Sequence, residues 1–250
     1  MLTWNLRHGR SVPSAGNDLL GEFAGALGGW EWDVALLQEV PPWWPALLGE
    51  RLGAGWRLTL TSRNALPALR RAVAVRWPDA IKSNGGGCNA ILVRRLSVVE
   101  HRTRRLCVWP ERRRVQAVRL GGGVAPAGGR TSAAVPAPAG AVAPAPAGGP
   151  GLWVGNLHAT VHDAAAALRD IRLAAATALR WAGGDPVVLG GDFNVRSFGL
   201  PGFTWAGGHD VDHVFAAGPV APVAGSLAVL ERGRLSDHAP VAVSLTAPEL

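Results

Sequence analysis

Tyrosine is absent from this 250-residue chain, and lysine occurs once, at Lys82, against 24 arginines. So one-sided a preference looks like compositional bias. Cysteine occurs only twice, at Cys88 and Cys107. Two cysteines cannot make a disulfide framework, so free thiols in a reducing compartment are expected. The pair flanks what reads as one hairpin, which keeps a cross-strand bridge open. No uninterrupted apolar run reaches the roughly 18 residues of a membrane span. The opening "MLTWNLRHGR" starts like a strand and lacks a secretory pattern, so a cytoplasmic location is expected. There is no GxxxxGK[ST] loop, which argues against a nucleotide-driven motor, and no GxSxG elbow. Neither HExxH nor a paired CxxC appears, which leaves little basis for a zinc site.

What is present is a large apolar fraction, 48% of residues, enough for a substantial core. The length suits one large domain or two small ones. Net charge is +7, and it is concentrated: Arg94 to Arg119 holds nine arginines against Glu100 and Glu111. Such a stretch suits a polyanionic partner, or else a solvated sheet face. Residues 121–150 draw 24 of 30 positions from Gly, Ala and Pro. A segment of that kind buries too little to offset its ordering entropy, and reads as a disordered or extended loop. Strand-like "VQAVRL" before it and "GLWVGNLHAT" after it make it a loop insertion within one domain spanning 1–250.

Elsewhere strands and helices alternate. Apolar runs predict strands near Leu2–Leu6, Val34–Gln38, Arg57–Thr61, Ala72–Arg76, Ala90–Arg94, Val98–Trp109, Val115–Leu120, Leu152–Leu157, Val187–Leu189, Asp212–Phe215 and Val241–Leu245. Helices are expected near Asp18–Leu27, Trp43–Leu52 and Asp163–Trp181. The last has Leu168, Ile171, Ala175 and Leu179 near helical spacing, Asp163 as its N-terminal cap and glycines 183 and 184 as its stop. Many strands with few helices point to an α/β sandwich.

The chemistry sits at strand tips. Asn5, Glu39, Asn156 with His158, Asp192 with Asn194, and Asp237 with His238 each follow or interrupt an apolar run, and Asp212 in "HDVDHVF" is a sixth candidate. A rigid strand holds such a residue firmly while its end stays open to solvent. The set is rich in hard oxygen donors and poor in sulfur, which favours Mg²⁺ or Mn²⁺ over zinc. Mg²⁺ needs only one or two carboxylates, which frees the histidines for proton transfer or phosphate contacts. His8, His101, His162 and His209 read as surface or packing residues.

Taken in order, Asn5, Gln38-Glu39, Asn156-x-His158, Gly191-Asp192-Phe193-Asn194, Asp212 and Ser236-Asp237-His238 resemble the endonuclease/exonuclease/phosphatase superfamily. "CNAIL" at Asn89 resembles its "GNAIL" strand, with Cys88 in place of Gly. The resemblance implies a four-layered α/β sandwich, with two face-to-face mixed β-sheets flanked by helices and the polar tips gathered at one edge. It also implies metal-dependent phosphoester hydrolysis. Carried over by motif, Glu39 is the principal ligand of Mg²⁺ (or Mn²⁺), with Asn5 and Asp237 close to the ion. Asp192 orients or deprotonates the attacking water, and Asn194 positions the phosphate or metal. His238, oriented by Asp212, contacts the phosphate, and His158 binds phosphate or protonates the leaving group. Asn156 belongs to the substrate-binding set and supports the local geometry. Arg114, in the spacing Arg-x-x-Ala, is the expected substrate-binding arginine, with Arg113 as its rival, and Trp205 is placed at the substrate pocket. A tyrosine that contacts phosphate in parts of the family has no counterpart here. The expected partner is a phosphate ester, with DNA and RNA as candidates. Alternatives are a small phosphate ester, a phospholipid headgroup or a non-catalytic binding module. A monomer is favoured.

Overall fold

The computed structural model describes residues 1–109, 111–121 and 151–246. One six-stranded sheet runs in the order β12 (Ala228–Val229), β13 (Val241–Ala242), β1 (Leu2–Asn5), β2 (Val34–Val40), β4 (Cys88–Val93), β3 (Gly55–Leu60). The other runs β5 (Ser97–Cys107), β6 (Arg113–Gly121), β7 (Leu152–His158), β8 (Val187–Asp192), β10 (Asp212–Ala217), β9 (Thr204–His209). A short pair, β11 (Ala221–Pro222) and β14 (Leu245–Thr246), stands apart. Each large sheet is mixed. β1–β2 and β7–β8 are parallel, and the remaining pairs are antiparallel.

Side-chain alternation makes the layers. Successive strand residues point to opposite faces, so a strand buried on both faces reads as a continuous apolar run. Along β2, Val34 and Leu36 enter a core shared with Val118, Val154, Val188 and Val214 of the second sheet. Ala35 and Leu37 enter a different core with Phe23, Leu27, Trp44 and Leu48. Those residues come from α1 (Leu20–Gly29) and α2 (Trp44–Leu52). Along β8, Leu189 turns outward to meet Ala167, Ile171 and Ala174 of α5 (Ala164–Ala182). The order is therefore helices, sheet, sheet, helix: the expected α/β sandwich.

α5 begins where Asp163 accepts a 2.9 Å hydrogen bond from the Ala166 N–H, and ends at Gly183 in the left-handed conformation. One expected strand is instead helical. Ala72–Arg76 lies inside α3 (Pro67–Arg76), followed by the short α4 (Pro78–Ile81). Pro67 is preset for a first helical turn, and no residue of α3 is buried, so the Ala/Val alternation has no sheet to join. Strands β9, β11 and β12 were not expected. Cys88 and Cys107 are both free thiols. The Gly/Ala/Pro insertion, apart from Gly121, lies outside the described residues.

Candidate active site

Five strands, β1, β2, β7, β8 and β10, and the segment before β13 meet at one edge of the two sheets. Each supplies a polar tip. β8 ends in Asp192, which is 1% exposed. Before it, Gly191 adopts φ 141°, and a Cβ there would collide with the Leu157 carbonyl. Only glycine lets β8 lie this close to β7 and deliver Asp192 beside His158, its register partner. After it, Asn194 turns at φ 54° and its N–H donates to Asp192 Oδ1 at 3.0 Å. This local turn fixes the carboxylate.

Asp192 Oδ2 is the centre of the cluster. Asn5 Nδ2 donates to it at 2.9 Å, His158 Nε2 lies 3.5 Å away and His238 Nε2 lies 3.9 Å away. His238 Nδ1 meets Asp212 Oδ2 at 2.7 Å, and β10 pairs Asp212 with Asp192 across the ladder. Glu39 stands opposite. In β2 two residues, Gln38 and Glu39, face one residue of β4, a bulge that takes Glu39 to φ 49° and aims it into the cleft. Its carboxylate lies 3.3 Å from His8 Nε2 and 4.0 Å from His158 Nε2. Arg7, His8, Glu39, Asn194 and Ser236 all have positive φ. Strain of order 1–3 kcal/mol per such residue persists where surroundings over-determine it, and it gathers here.

Electrostatics divide the cluster by role. Burial pushes Asp192 up to about 7, with repulsion from Asp212 adding to it; His238, Asn5 and Asn194 pull the other way. Burial likewise raises Asp212, against the hydrogen bond from His238. Burial lowers His238, but its bond to Asp212 and the charges of Asp212, Asp192 and Asp237 outweigh this and carry it to about 9. His158 falls well below its ordinary value through burial and the nearby Arg113, His238 and His8. Burial also lowers His8, against the attraction of Glu39. One imidazole is thus held charged and another neutral beside the same carboxylate.

Two donor groups fit a metal. Ligand atoms of Asp192, Asp212 and His238 all lie within 4.8 Å of one another. A cation there would compete with the His238 charge that both carboxylates already hold. Glu39, partly open to solvent, has no such competitor. Its cleft is lined by oxygen- and nitrogen-bearing side chains, among them Thr61, Asn89 and His158. Asn5 Oδ1 already accepts the Arg7 N–H at 2.9 Å, and Asp237 meets Arg7 Nε at 3.3 Å. Asp237 is half-exposed at the rim of the site, whereas Asn5 is buried against Asp192.

Four sequence expectations change. Arg113, not Arg114, enters the cleft: it is buried, lines the Glu39–His158 cleft and pairs with Glu111 at 3.1 Å. Arg114 turns the other way, its Nη1 3.5 Å from Thr103 Oγ1. The Arg-x-x-Ala spacing selects the wrong parity of an alternating strand. Asn156 is fully buried, donating to the Leu37 and Ala90 carbonyls (3.0 and 2.8 Å) and accepting from Gln38 (2.9 Å), so it braces one sheet against the other. Trp205 lines a different cavity, about 260 Å³, with Arg196, Ser197, Phe198, His213 and Phe215. The fourth concerns His8, expected as surface or packing and found against Glu39. No sequence signal marked it, since its place depends on the left-handed turn at Arg7 and His8.

The basic stretch is also largely spent. Arg95 pairs with Asp33, Arg102 with Glu100, Arg113 with Glu111 and Arg119 with Asp185, while Arg94 stacks on Trp32 and Arg104 donates to Thr177. Among the described residues Arg105, Arg112 and Arg114 pair with no carboxylate.

The sequence model of the endonuclease/exonuclease/phosphatase family matches residues 2–238. No curated protein matches this chain. Among solved structures, a mannosyl-6-phosphatase of Bacteroides thetaiotaomicron superposes with TM-score 0.64 at 16% identity, covering 98% of each chain. A humanized D. rerio TDP2 gives 0.63 at 17% identity, covering 98% of this chain and 97% of that one. An endonuclease/exonuclease/phosphatase of Beutenbergia cavernae gives 0.62 at 19%, covering 98% and 70%. At such identities the structures speak for the fold alone, and the match over 2–238 speaks for the family. The chain belongs to the endonuclease/exonuclease/phosphatase family.

Proposed function

We propose that the chain hydrolyses a phosphodiester with a divalent metal ion, Mg²⁺ or Mn²⁺, and an activated water. The observation that carries this is the meeting at Asp192 Oδ2 of groups drawn from Asn5, His158 and His238. A bare carboxylate raised toward neutrality suits a general base. Asn5 and the Asn194 N–H hold it in place while it takes the proton of the attacking water. His238, kept charged by Asp212, donates to a phosphoryl oxygen, following the logic of a base oriented by a third group. Arg113 adds positive charge from the side of Glu111 and His158. His158, neutral and buried, serves the leaving-group side. Glu39 would hold the ion, with Asn5 and Asp237 bordering it, and the ion would supply charge neutralisation at the phosphoryl oxygens. No serine or cysteine nucleophile is needed.

Nucleic acid is the first substrate reading. Arg105, Arg112 and Arg114 lie at the turn end of the β5–β6 hairpin with Trp109, which is 86% exposed. An exposed aromatic among arginines suits a strand of bases and phosphates. A small phosphate ester is the second reading, supported by the pairing of Arg95, Arg102, Arg113 and Arg119 with carboxylates. Cleavage of single- and double-stranded DNA, RNA and bis(p-nitrophenyl) phosphate, with and without chelator, tests both. Chelation should abolish turnover. Undiminished cutting by Glu39→Ala would overturn the ion's placement, and turnover confined to small esters would remove the nucleic-acid reading.

A further inference from the structure

The contact between His8 and Glu39 is unusual in its bonding. His8 Nδ1 lies 3.3 Å from the Gly86 carbonyl oxygen. A carbonyl only accepts, so Nδ1 carries the hydrogen. That leaves Nε2 facing Glu39 Oε2 at 3.3 Å, a separation that either a shared proton or a shared metal ion can bridge. An Nδ1–H bonded to a backbone carbonyl, with Nε2 left free, is the arrangement by which proteins orient a metal-binding imidazole. Cis ligands on an octahedral ion with bonds of about 2.1 Å stand about 3 Å apart, close to the separation seen.

Two further features converge here. Arg7 and His8 occupy left-handed backbone at φ 48° and 55°, and Gly9 follows at φ 73° with the Trp44 ring where its Cβ would lie. The turn is therefore held in one shape, with the imidazole inside. Asn89 lines the same cleft, and its buried Oδ1 has no hydrogen-bond partner among the described residues. A hydrated ion brings donors to such an oxygen.

Resting on the reading that Glu39 holds the divalent ion, we infer that His8 is a second protein ligand to that ion, through Nε2. One nitrogen in an otherwise oxygen site tilts selection away from Mg²⁺ toward first-row transition ions, Mn²⁺ the hardest of them. Neither the other histidines nor the motif residues predict this preference.

Mn²⁺ reports it directly. In the full chain, pulsed EPR of bound Mn²⁺ should show coupling to a histidine nitrogen. His8→Gln should lose that coupling, and its ratio of Mn²⁺ to Mg²⁺ affinity, measured by calorimetry, should fall about tenfold. Coupling that is absent from the native protein, or that persists in His8→Gln, overturns the inference. Glu39→Ala is the separate check: Mn²⁺ binding that survives it removes the underlying reading, whereas loss there with unchanged His8→Gln binding removes only the His8 ligand. If His8→Gln does not fold, ring nitrogen-15 spectra of the native chain replace it. Zn²⁺ should then shift the Nε2 signal of an Nδ1–H imidazole, and no shift in any ring overturns the assignment.

Discussion

Two buried polar groups lie two residues apart along the same pair of strands, Asn156 and Asp192, and they do opposite work. Asn156 is paired in register with Gly190, His158 with Asp192. Around Asn156 the partners are a neutral amide and two carbonyls, and every polar atom of its side chain is engaged. Around Asp192 the Asn5 amide and the Asn194 N–H are joined by ionisable neighbours, one nearby oxygen (Asp212 Oδ1) has no partner among the described residues, and the contacts to imidazoles run from 3.5 to 3.9 Å. A satisfied neutral network specifies structure; a partly satisfied charged one stores the capacity to take up a substrate. Burial alone does not separate the two, and neither does spare valence, since Gln38 Oε1 beside Asn156 also has no partner among the described residues. What separates them is whether the neighbours carry charge.

The sharpest way to break this contrast is Asp192→Asn. Turnover of bis(p-nitrophenyl) phosphate should fall about 10³-fold or more, as for loss of a general base, while the melting temperature stays level or rises, because a buried charge is costly. A variant that melts early and still turns over would merge the two groups. Asn156→Leu should do the reverse. Leaving the Leu37 and Ala90 carbonyls and Gln38 unpaired costs about 3 kcal/mol in denaturant unfolding. Its kcat per folded molecule should stay within about threefold. Retained stability with lost turnover would return Asn156 to the substrate.

Smaller effects sharpen the edges of the site. Arg113→Ala should reduce kcat/KM about tenfold or more, and Arg114→Ala about twofold on a nucleic-acid substrate, losing even that difference at high salt. Equal effects would mean that strand parity does not decide which arginine serves. The smallest is the pH dependence of His238. Its folded pKa, about 9, exceeds the ordinary 6.5. Its stabilising contribution is therefore complete below about 6.5 and lost as pH climbs through 9. In chelator, the native protein should lose a few degrees of melting temperature between pH 6.5 and 9.5 relative to His238→Gln. Parallel curves would deny the bond to Asp212 its role.

Much of this was legible in the residues, for identifiable reasons. Val187–Leu189 and Leu36–Leu37 read as strands because sheets covered on both faces need continuous apolar runs. α5 declared itself by period, cap and glycine stop. The strand tips were legible because polar residues at the ends of such runs have few structural reasons to be there. Alternating Ala and Val in α3 imitates a strand when nothing is buried, and β9, with Gly207 and Gly208, lacks β-branched weight beyond Thr204. Arg113 against Arg114 is a question of parity, which pattern alone leaves undecided. His8 depended on two left-handed residues and a bulge at Glu39, features of backbone rotation that no spacing of side chains records.

One feature of the sheet order carries beyond the chemistry. β1 pairs with β13, the Trp4 indole donates to the His238 carbonyl, and Ser236 Oγ donates to Asn5 O at 2.6 Å. The site is therefore closed by contacts between groups 231 and 234 residues apart in sequence. Ordering so long an intervening loop costs entropy that these contacts must offset, so the geometry of the site depends on the whole sheet being assembled.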